Sequence, residues 1–515
     1  MPSTSFERAR RRGAGDNTPI SRYEPGPPMT STRVLVTGAT GFVGSRLVPS
    51  LLDRGLEVRC LARTPAKLDA APWRDDVEVI GGDVGGDLTA AMSGVDFAFY
   101  LVHSIGAGPQ WAQTEQRDAA NFVRAADAAG IRKIVFLGGL GRDNDTLSLH
   151  LQTRHDVGRA LAATSVEVVE LRAGVIVGGG SASFEMLRKL VEGLPFMVTP
   201  KWVETRCQPI AITDMIELLV RAATSNDVPP GVYGAGGPDV VTYSEMIAMF
   251  AEVAGLPRRW LLKVPLLTPR LSSLWVGLVT PLPVPLAREL VESLVNEVVV
   301  EGLSACDVFS VTPMGIREAM LRALSAAREV SASADNGERH DAFALLDTDP
   351  AWSGPTLLYD ERTATTPVAP TAVFDALERI GGATGWYGAG WLWWLRGLLD
   401  QLLGGPGLRR GRSATLAEGD PLDFWLVEEL KRPVRLRLRA EMRLPGDAWL
   451  TWDLSTLGTG TRIVQPADFH PRGFLGLVYW YAIAPFHRWV FPRMLCGIIA
   501  DAEHAAKPLP NDRVR

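Results

Sequence analysis

Cysteine is scarce: Cys60, Cys207, Cys306 and Cys496 stand far apart in 515 residues and form no C-x-x-C pair. No metal site and no disulfide framework is expected, and a reducing cytoplasm is the expected compartment. A basic excess is also missing. The 53 Lys and Arg stand against 58 Asp and Glu, a net charge of -5, and no basic stripe interleaved with aromatics runs along the chain, so nucleic acid is not an expected partner. Long apolar runs are absent too. The uncharged run Gly473 to Phe486 falls short of the ~20 residues that cross a bilayer, and the apolar stretch Trp260 to Ala287 is broken by Pro265, Pro269, Pro281, Pro283 and Pro285. Neither reads as a membrane span, although the first leaves room for peripheral membrane contact through an amphipathic helix. Residues 1–32 are rich in Ser, Pro, Gly and Arg and lack the apolar centre of a secretory signal; they read as a disordered tail.

What is present starts with length, which is enough for two or three domains. The run Val34-Leu35-Val36-Thr37-Gly38-Ala39-Thr40-Gly41-Phe42-Val43-Gly44 passes from a β-branched strand through spaced glycines into an amphipathic helix. Unpaired N–H groups and the helix dipole make such an N-terminus an anion site, and glycines let a pyrophosphate approach the backbone. Strand and helix then alternate with short connections: Glu57 to Ala62, Val77 to Ile80, Asp96 to Val102, the helix Trp111 to Ala129, and Lys133 to Leu137. That pattern predicts a parallel sheet covered on both faces, with its ligand crevice at the strand C-terminal ends, where His103, Ser104, Gly138 and Gly139 fall.

The Thr-Gly-x-x-Gly-x-x-Gly spacing resembles the short-chain dehydrogenase/reductase (SDR) superfamily, especially its extended and atypical branches. The resemblance implies a Rossmann-type doubly wound α/β domain over residues 33–330, with a small cap, that binds NAD(P). Thr37, Gly38, Thr40, Gly41, Phe42, Val43 and Gly44 would form the phosphate cradle, Asp83 and Val84 the adenine contact, and Leu101 and His103 the rim. At the end of the second strand stand Arg63 and Lys67 with no acid between them, which favours NADP over NAD because a cation accommodates a 2′-phosphate. The other reading of Arg63 is a solvated surface arginine.

Catalytic SDR enzymes carry a Ser and a Tyr-x-x-x-Lys. This chain has Gly138-Gly139 at the first place and His150-Leu151-Gln152-Thr153-Arg154 at the second. The i, i+4 spacing survives. His150 is a candidate proton donor, since its ordinary pKa of about 6.5 needs no helper. Arg154 stays charged and is a candidate to hold the ribose or a substrate oxyanion. Asn121 resembles the helix Asn of the extended branch and completes the candidate catalytic set. The alternative is a surface His with an Arg that only grips the cofactor.

The small polar run from Ser331 to Arg339 predicts a linker, 331–345, ahead of a second domain over 346–505. There Val434, Leu436, Leu438, Ala440, Met442 and Leu444 alternate with Arg435, Arg437, Arg439, Glu441 and Arg443, the mark of a strand with one wet face. Two more strands and a helix from Leu475 to Met494 complete a meander against a long helix. This plan resembles the helix-grip fold of START-type proteins, an α+β antiparallel sheet around a C-terminal helix that encloses an apolar cavity. The Tyr479-Trp480-Tyr481…Pro485-Phe486-His487-Arg488 run also resembles a bacterial domain commonly fused behind atypical SDR domains. Trp386, Trp391, Trp393 and Trp394 either line the cavity or fill the core. The function expected is an NADP-dependent oxidoreductase acting on a small hydrophobic or aromatic carbonyl compound; the rival is a non-catalytic NADP sensor.

Overall fold

The computed structural model describes residues 32–506 apart from 104–109, 144–145, 265–281, 331–340, 347, 351, 355–356, 383, 388–389, 403, 405–414 and 459. The expected tail, Ser104 and most of the expected linker lie outside the described residues.

Seven strands form the first sheet: β1 (Arg33–Thr37), β2 (Glu57–Ala62), β3 (Glu78–Gly81), β4 (Phe97–Tyr100), β5 (Lys133–Gly139), β6 (Glu167–Ala173) and β7 (Gly231–Ala235). All pair in parallel, in the order β7-β6-β5-β4-β1-β2-β3. Successive residues of each strand enter different cores. Val34, Val36, Phe97, Phe99 and Val135 pack on one face, and Leu35, Ala98, Tyr100, Ile134 and Phe136 on the other. That two-sided burial explains the near-continuous apolar runs of the strands. The helices α1 (Phe42–Leu52), α2 (Trp111–Ala129), α3 (Leu149–Ala162), α4 (Ala182–Gly193), α5 (Ile212–Thr224), α6 (Tyr243–Val253), α7 (Val284–Ser293) and α8 (Ile316–Val330) follow in chain order. The strand order reverses between β1 and β4, which opens a crevice beyond their C-terminal ends.

The second sheet is antiparallel and has six strands: β8 (Leu358–Thr366), β9 (Pro421–Leu422), β10 (Trp425–Lys431), β11 (Arg435–Ala440), β12 (Gly446–Leu457) and β13 (Gly460–Pro471). Their order is β8-β13-β12-β11-β10-β9, so the first strand closes against the last. Between β8 and β9 lie α9 (Pro370–Glu378) and α10 (Gly390–Leu402), and α11 (Gly473–Ala505) ends the domain. Leu436 and Leu438 of β11 are fully buried with Val490, Met494 and Ile498 of α11, while the intervening arginines take the wet face as the alternation requires. No helix among the described residues is long and apolar enough to cross a membrane.

The boundary between the two bodies falls later than the sequence suggested. The described residues between 341 and 354 pack with the first: Phe343 is 2% exposed within its core, and the Arg46 guanidinium of α1 binds Ala342, Ala344 and Asp349. Its Nε donates to Ala342 O (2.8 Å), Nη1 to Asp349 Oδ1 (2.9 Å) and Nη2 to Asp349 Oδ2 (2.6 Å) and Ala344 O (2.6 Å). The described part of the expected linker is therefore packed structure, because a buried arginine needs these acceptors.

Candidate functional site

The crevice is built around the glycine turn. Thr37 Oγ1 donates to Phe99 O (2.9 Å) and accepts from Leu101 N (3.3 Å), which ties β1 to the chain leaving β4. Its hydroxyl is thus a strand tie, and only its backbone is left for the cradle role expected of it. Gly38 sits at φ +76°, and a Cβ there would lie 2.8 Å from Leu101 O; only glycine suits both the conformation and the space. A side chain on Gly44 would run into the carbonyl of Gly38. Gly41 caps α1 and no side chain accepts from the helix's first turn, so those N–H groups are available to an anionic ligand. Thr40, Phe42 and Val43 are half-buried around it, as is Leu101. These residues form a cradle into which a dinucleotide pyrophosphate fits.

Arg63 and Lys67 follow the C-terminal end of β2. Both are exposed, and among the described residues neither side chain has an ion-pair or hydrogen-bond partner. Asp83 is exposed and Val84 is 3% exposed on the loop after β3. Asn121 holds that loop: its Nδ2 donates to Val84 O and Gly86 O, both at 2.8 Å, and its Oδ1 accepts from Arg124. Both N–H groups of the Asn121 amide are thus engaged in shaping the loop, which leaves only its Oδ1 for the catalytic role expected of it.

The His150 and His103 rings lie 5.1 Å apart, centre to centre, where α3 meets the end of β4. His150 Nδ1 is buried without a hydrogen-bond partner. Burial, reinforced by Arg154, pushes the ring's pKa down to about 3. A ring held that low is uncharged near neutral pH, so a proton-donor role for His150 would run through its neutral N–H. Arg154 lies one helical turn on and is 5% exposed. Its guanidinium donates to Val102 O (3.1 Å) and Leu137 O, pairs with Glu115 (3.6 Å) and lies 4.7 Å from the Phe136 ring centre. These partners bind β4, β5, α2 and α3 together. These bonds give Arg154 a structural role, and they engage the Nη1 and Nη2 groups on which a ribose-holding or oxyanion role would draw.

The missing serine has a packing reason. A Cβ on Gly138 would come 2.6 Å from Glu170 Oε1, and one on Gly139 would come 2.9 Å from Leu151 Cδ2. Glu170, itself buried, belongs to a network running out to the exposed Asp143 that sequence reasoning missed. It accepts from Arg172 Nε (2.7 Å), Arg172 reaches Asp143 (3.2 Å), and Asp143 meets His155 Nδ1 (2.7 Å), whose Nε2 faces Gly139 O (3.0 Å). The available signal was the Glu170-x-Arg172 pair inside an otherwise apolar strand.

Two apolar cavities lie among the described residues. One, of about 430 Å³, lies beyond the end of β6, walled by Val175, Met186, Leu190, Met197 and Val291, with Thr199 and Trp202 contributing unpartnered polar atoms. The other, of about 240 Å³, lies in the second domain between the sheet, α10 and α11. The tryptophan cluster divides there. Trp386 donates to Asp423 Oδ2 (3.0 Å) and stacks on Phe424 as core, Trp393 lines the cavity, and Trp394 is 61% exposed. The Trp391 side chain lies outside the described residues.

A parallel sheet with this strand order, and a glycine turn opening α1 at its switch point, defines a Rossmann-type nucleotide-binding domain. Residues 38–174 match the family described as NAD(P)H-binding, and residues 352–494 match the family described as protein of unknown function (DUF2867). The chain is 35% identical over 116 residues to a 3-beta-hydroxysteroid dehydrogenase of Mycolicibacterium neoaurum, covering 20% of this chain and 31% of that protein. It spans about a third of the length of the first curated relatives it matches. It is also 29% identical over 237 residues to the (4-alkanoyl-5-oxo-2,5-dihydrofuran-3-yl)methyl phosphate reductase of Streptomyces griseus, covering 44% of this chain and 76% of that protein. Among solved structures, the NADPH-dependent quinone oxidoreductase QOR2 of Escherichia coli, complexed with NADPH, aligns at TM-score 0.47 and 20% identity over 56% of this chain and 98% of that one. The first domain therefore matches an NAD(P)H-binding family and has a dehydrogenase and a reductase among its relatives.

Proposed function

We propose that this protein is an NADP(H)-dependent oxidoreductase that acts on a small hydrophobic or aromatic carbonyl compound, and that its second domain is a helix-grip module holding an apolar ligand. The observation that carries the cofactor half is the uncapped glycine turn, with Arg63 and Lys67 after β2 exposed and unpaired among the described residues. Two cations without carboxylate partners at that position suit a 2′-phosphate, and the absence of an acid between them removes the usual ribose acceptor of NAD. The bound nicotinamide would supply the hydride.

The chain's own contribution is binding and orientation. The first turn of α1 offers N–H groups to the pyrophosphate, and Asn121 fixes the loop that carries Asp83 and Val84. His150, neutral and half-buried, would polarise a carbonyl oxygen by donating a ring N–H, a role a neutral imidazole performs without changing charge. The cavity walled by Val175, Met186 and Met197 supplies apolar space beyond the strand ends. One observation favours the sensor reading: Arg154 and Asn121 are both tied into the scaffold, and no Tyr or Lys takes up a proton relay. We propose further that the exposed Leu475, Val478, Tyr481 and Phe486 of α11 support peripheral contact with a membrane surface.

The test is a titration of the full chain with NADPH and NADH, followed by a screen of aromatic ketones, aldehydes and quinones for NADPH consumption. Tighter NADPH binding with turnover of one class is the expected result. NADPH binding without turnover across the screen would move the assignment to the sensor.

A further inference from the structure

The cavity of the second domain has an apolar wall, to which Met442, Leu450, Ile483 and Phe491 contribute. Four side chains interrupt that wall. Trp393 Nε1, Trp425 Nε1, Arg396 Nη2 and His487 Nδ1 are all buried and have no hydrogen-bond partner among the described residues; a fifth lining residue, Trp449, also leaves its Nε1 unmatched, but it alternates with the buried Leu450, pairs in register with Asp468 and takes the other face of the sheet. Three of these atoms can only donate, and the fourth donates in one tautomer. Native interiors rarely leave one such group unmatched; four around one cavity describe a complement of acceptor oxygens.

Charge narrows the choice. Arg396 cannot be neutralised by losing a proton. Its guanidinium lies 5.7 Å from the centre of the Tyr479 ring, and among the described residues it pairs with no carboxylate. Asp468 also borders the cavity; it alternates with the buried Ala467 and Phe469 along β13 and so takes the opposite face of the sheet, where burial pushes its pKa up and Arg437, itself paired with Glu428 (3.0 Å), only pulls against that shift. Near His487, Arg362 is already paired with Asp360 (2.8 Å), and burial together with Arg362 pushes the His487 pKa down to about 4. Among the described residues, Arg396 is the cation that faces the space without a carboxylate partner.

We infer that this cavity binds a monocarboxylate carried on one aromatic ring or an equally small apolar body, with Arg396 and the two indole N–H groups on the carboxylate and His487 as a further donor. The inference rests on the proposal that the second domain is a ligand-binding module, and it adds the chemical class. Size sets the upper limit: a dry cavity of ~150 Å³ holds benzene, so about 240 Å³ takes one ring with a short acid arm and rejects a four-ring skeleton.

The experiment uses the full chain and matched probes: benzoate, cinnamate and octanoate, each beside its alcohol of the same skeleton. Binding is read by calorimetry and by the emission of the cavity tryptophans. At least one acid should bind ten-fold or more tightly than its alcohol. Arg396→Met should abolish that preference while leaving the alcohol's affinity within about two-fold, and Trp425→Phe should weaken the acid alone. Thermal unfolding of each variant checks that it is folded; if Arg396→Met is not, Arg396→Lys is read instead, with the preference reduced. Equal affinity for acids and alcohols, or a preference that survives Arg396→Met, overturns the carboxylate assignment and leaves the module standing. No binding of any probe overturns both.

Discussion

His103 and His150 face each other with ring centres 5.1 Å apart, one at the end of the fourth strand and the other in the first turn of α3. The contact joins the rim of the crevice to the helix that would carry a tyrosine in a conventional active site, and it brings His150 under the influence of Arg154.

The first prediction concerns pH. His150 has its folded pKa lowered to about 3, below the ordinary value of about 6.5. Between those values the unfolded chain binds the proton and the folded one does not, so stability rises with pH across that window and is lost as pH falls through it. His487, at about 4, acts in the same direction. Unfolding midpoints of the parent and His150→Phe, compared from pH 7 to pH 4, should show the parent losing more. A parent and variant that fall in parallel would remove His150 from the acid response. If turnover is found, its pH profile should carry no limb near 6.5 from this residue.

A second prediction separates a structural Arg154 from a cofactor ligand. Arg154→Met takes the guanidinium from the buried Glu115, which keeps its contact with His103 (3.9 Å), and breaking a buried pair on one side costs up to about 3–5 kcal/mol. Denaturant titration should show that loss, and Arg154→Met combined with Glu115→Leu should recover much of it. A stable single variant with weakened NADPH binding would restore the ribose-holding role.

Cofactor choice gives a third. Arg63→Ala should lower the NADPH over NADH preference by roughly ten-fold, equivalent to ~1.4 kcal/mol, with NADH affinity unchanged because only the 2′-phosphate is lost as a partner. An unchanged ratio would make Arg63 the solvated residue that its exposure also permits.

The fourth concerns where the chain can be cut. A fragment beginning at residue 357 should fold, because the second core closes β8 against β13 without help from earlier residues. A first domain ending at residue 330 should be markedly less stable than one ending at 354, since it lacks Phe343 and Asp349. Equal midpoints for those two fragments would contradict the packing described.

Much of this architecture was legible in the sequence, for physical reasons. The glycine turn is local, so Gly38, Gly41 and Gly44 announce it within seven residues. The alternation of Leu436 and Leu438 with Arg435 and Arg437 reports one buried face directly. Features that depend on distant partners were not legible. Asn121 and Arg154 were read by their spacing, but their hydrogen bonds go to carbonyls on other elements. The depression of His150 comes from burial that the neighbouring residues do not reveal. Segment 341–345 looked like a linker because its core partners lie in α1 and near Gly179, far back along the chain.

The Arg46–Asp349 pair also sets an order of events during synthesis. Arg46 emerges 303 positions before Asp349, and domains ordinarily fold as they leave the ribosome, the N-terminal one first. Here the nascent first domain carries an unneutralised guanidinium against its glycine helix until the chain has run past its own last sheet strand and cap. The final locking of α1 waits for residues that lie immediately ahead of the second domain. Translation stalled before residue 349 would therefore leave a first domain whose cofactor helix is incompletely fixed, a state open to chaperones that the finished protein does not display.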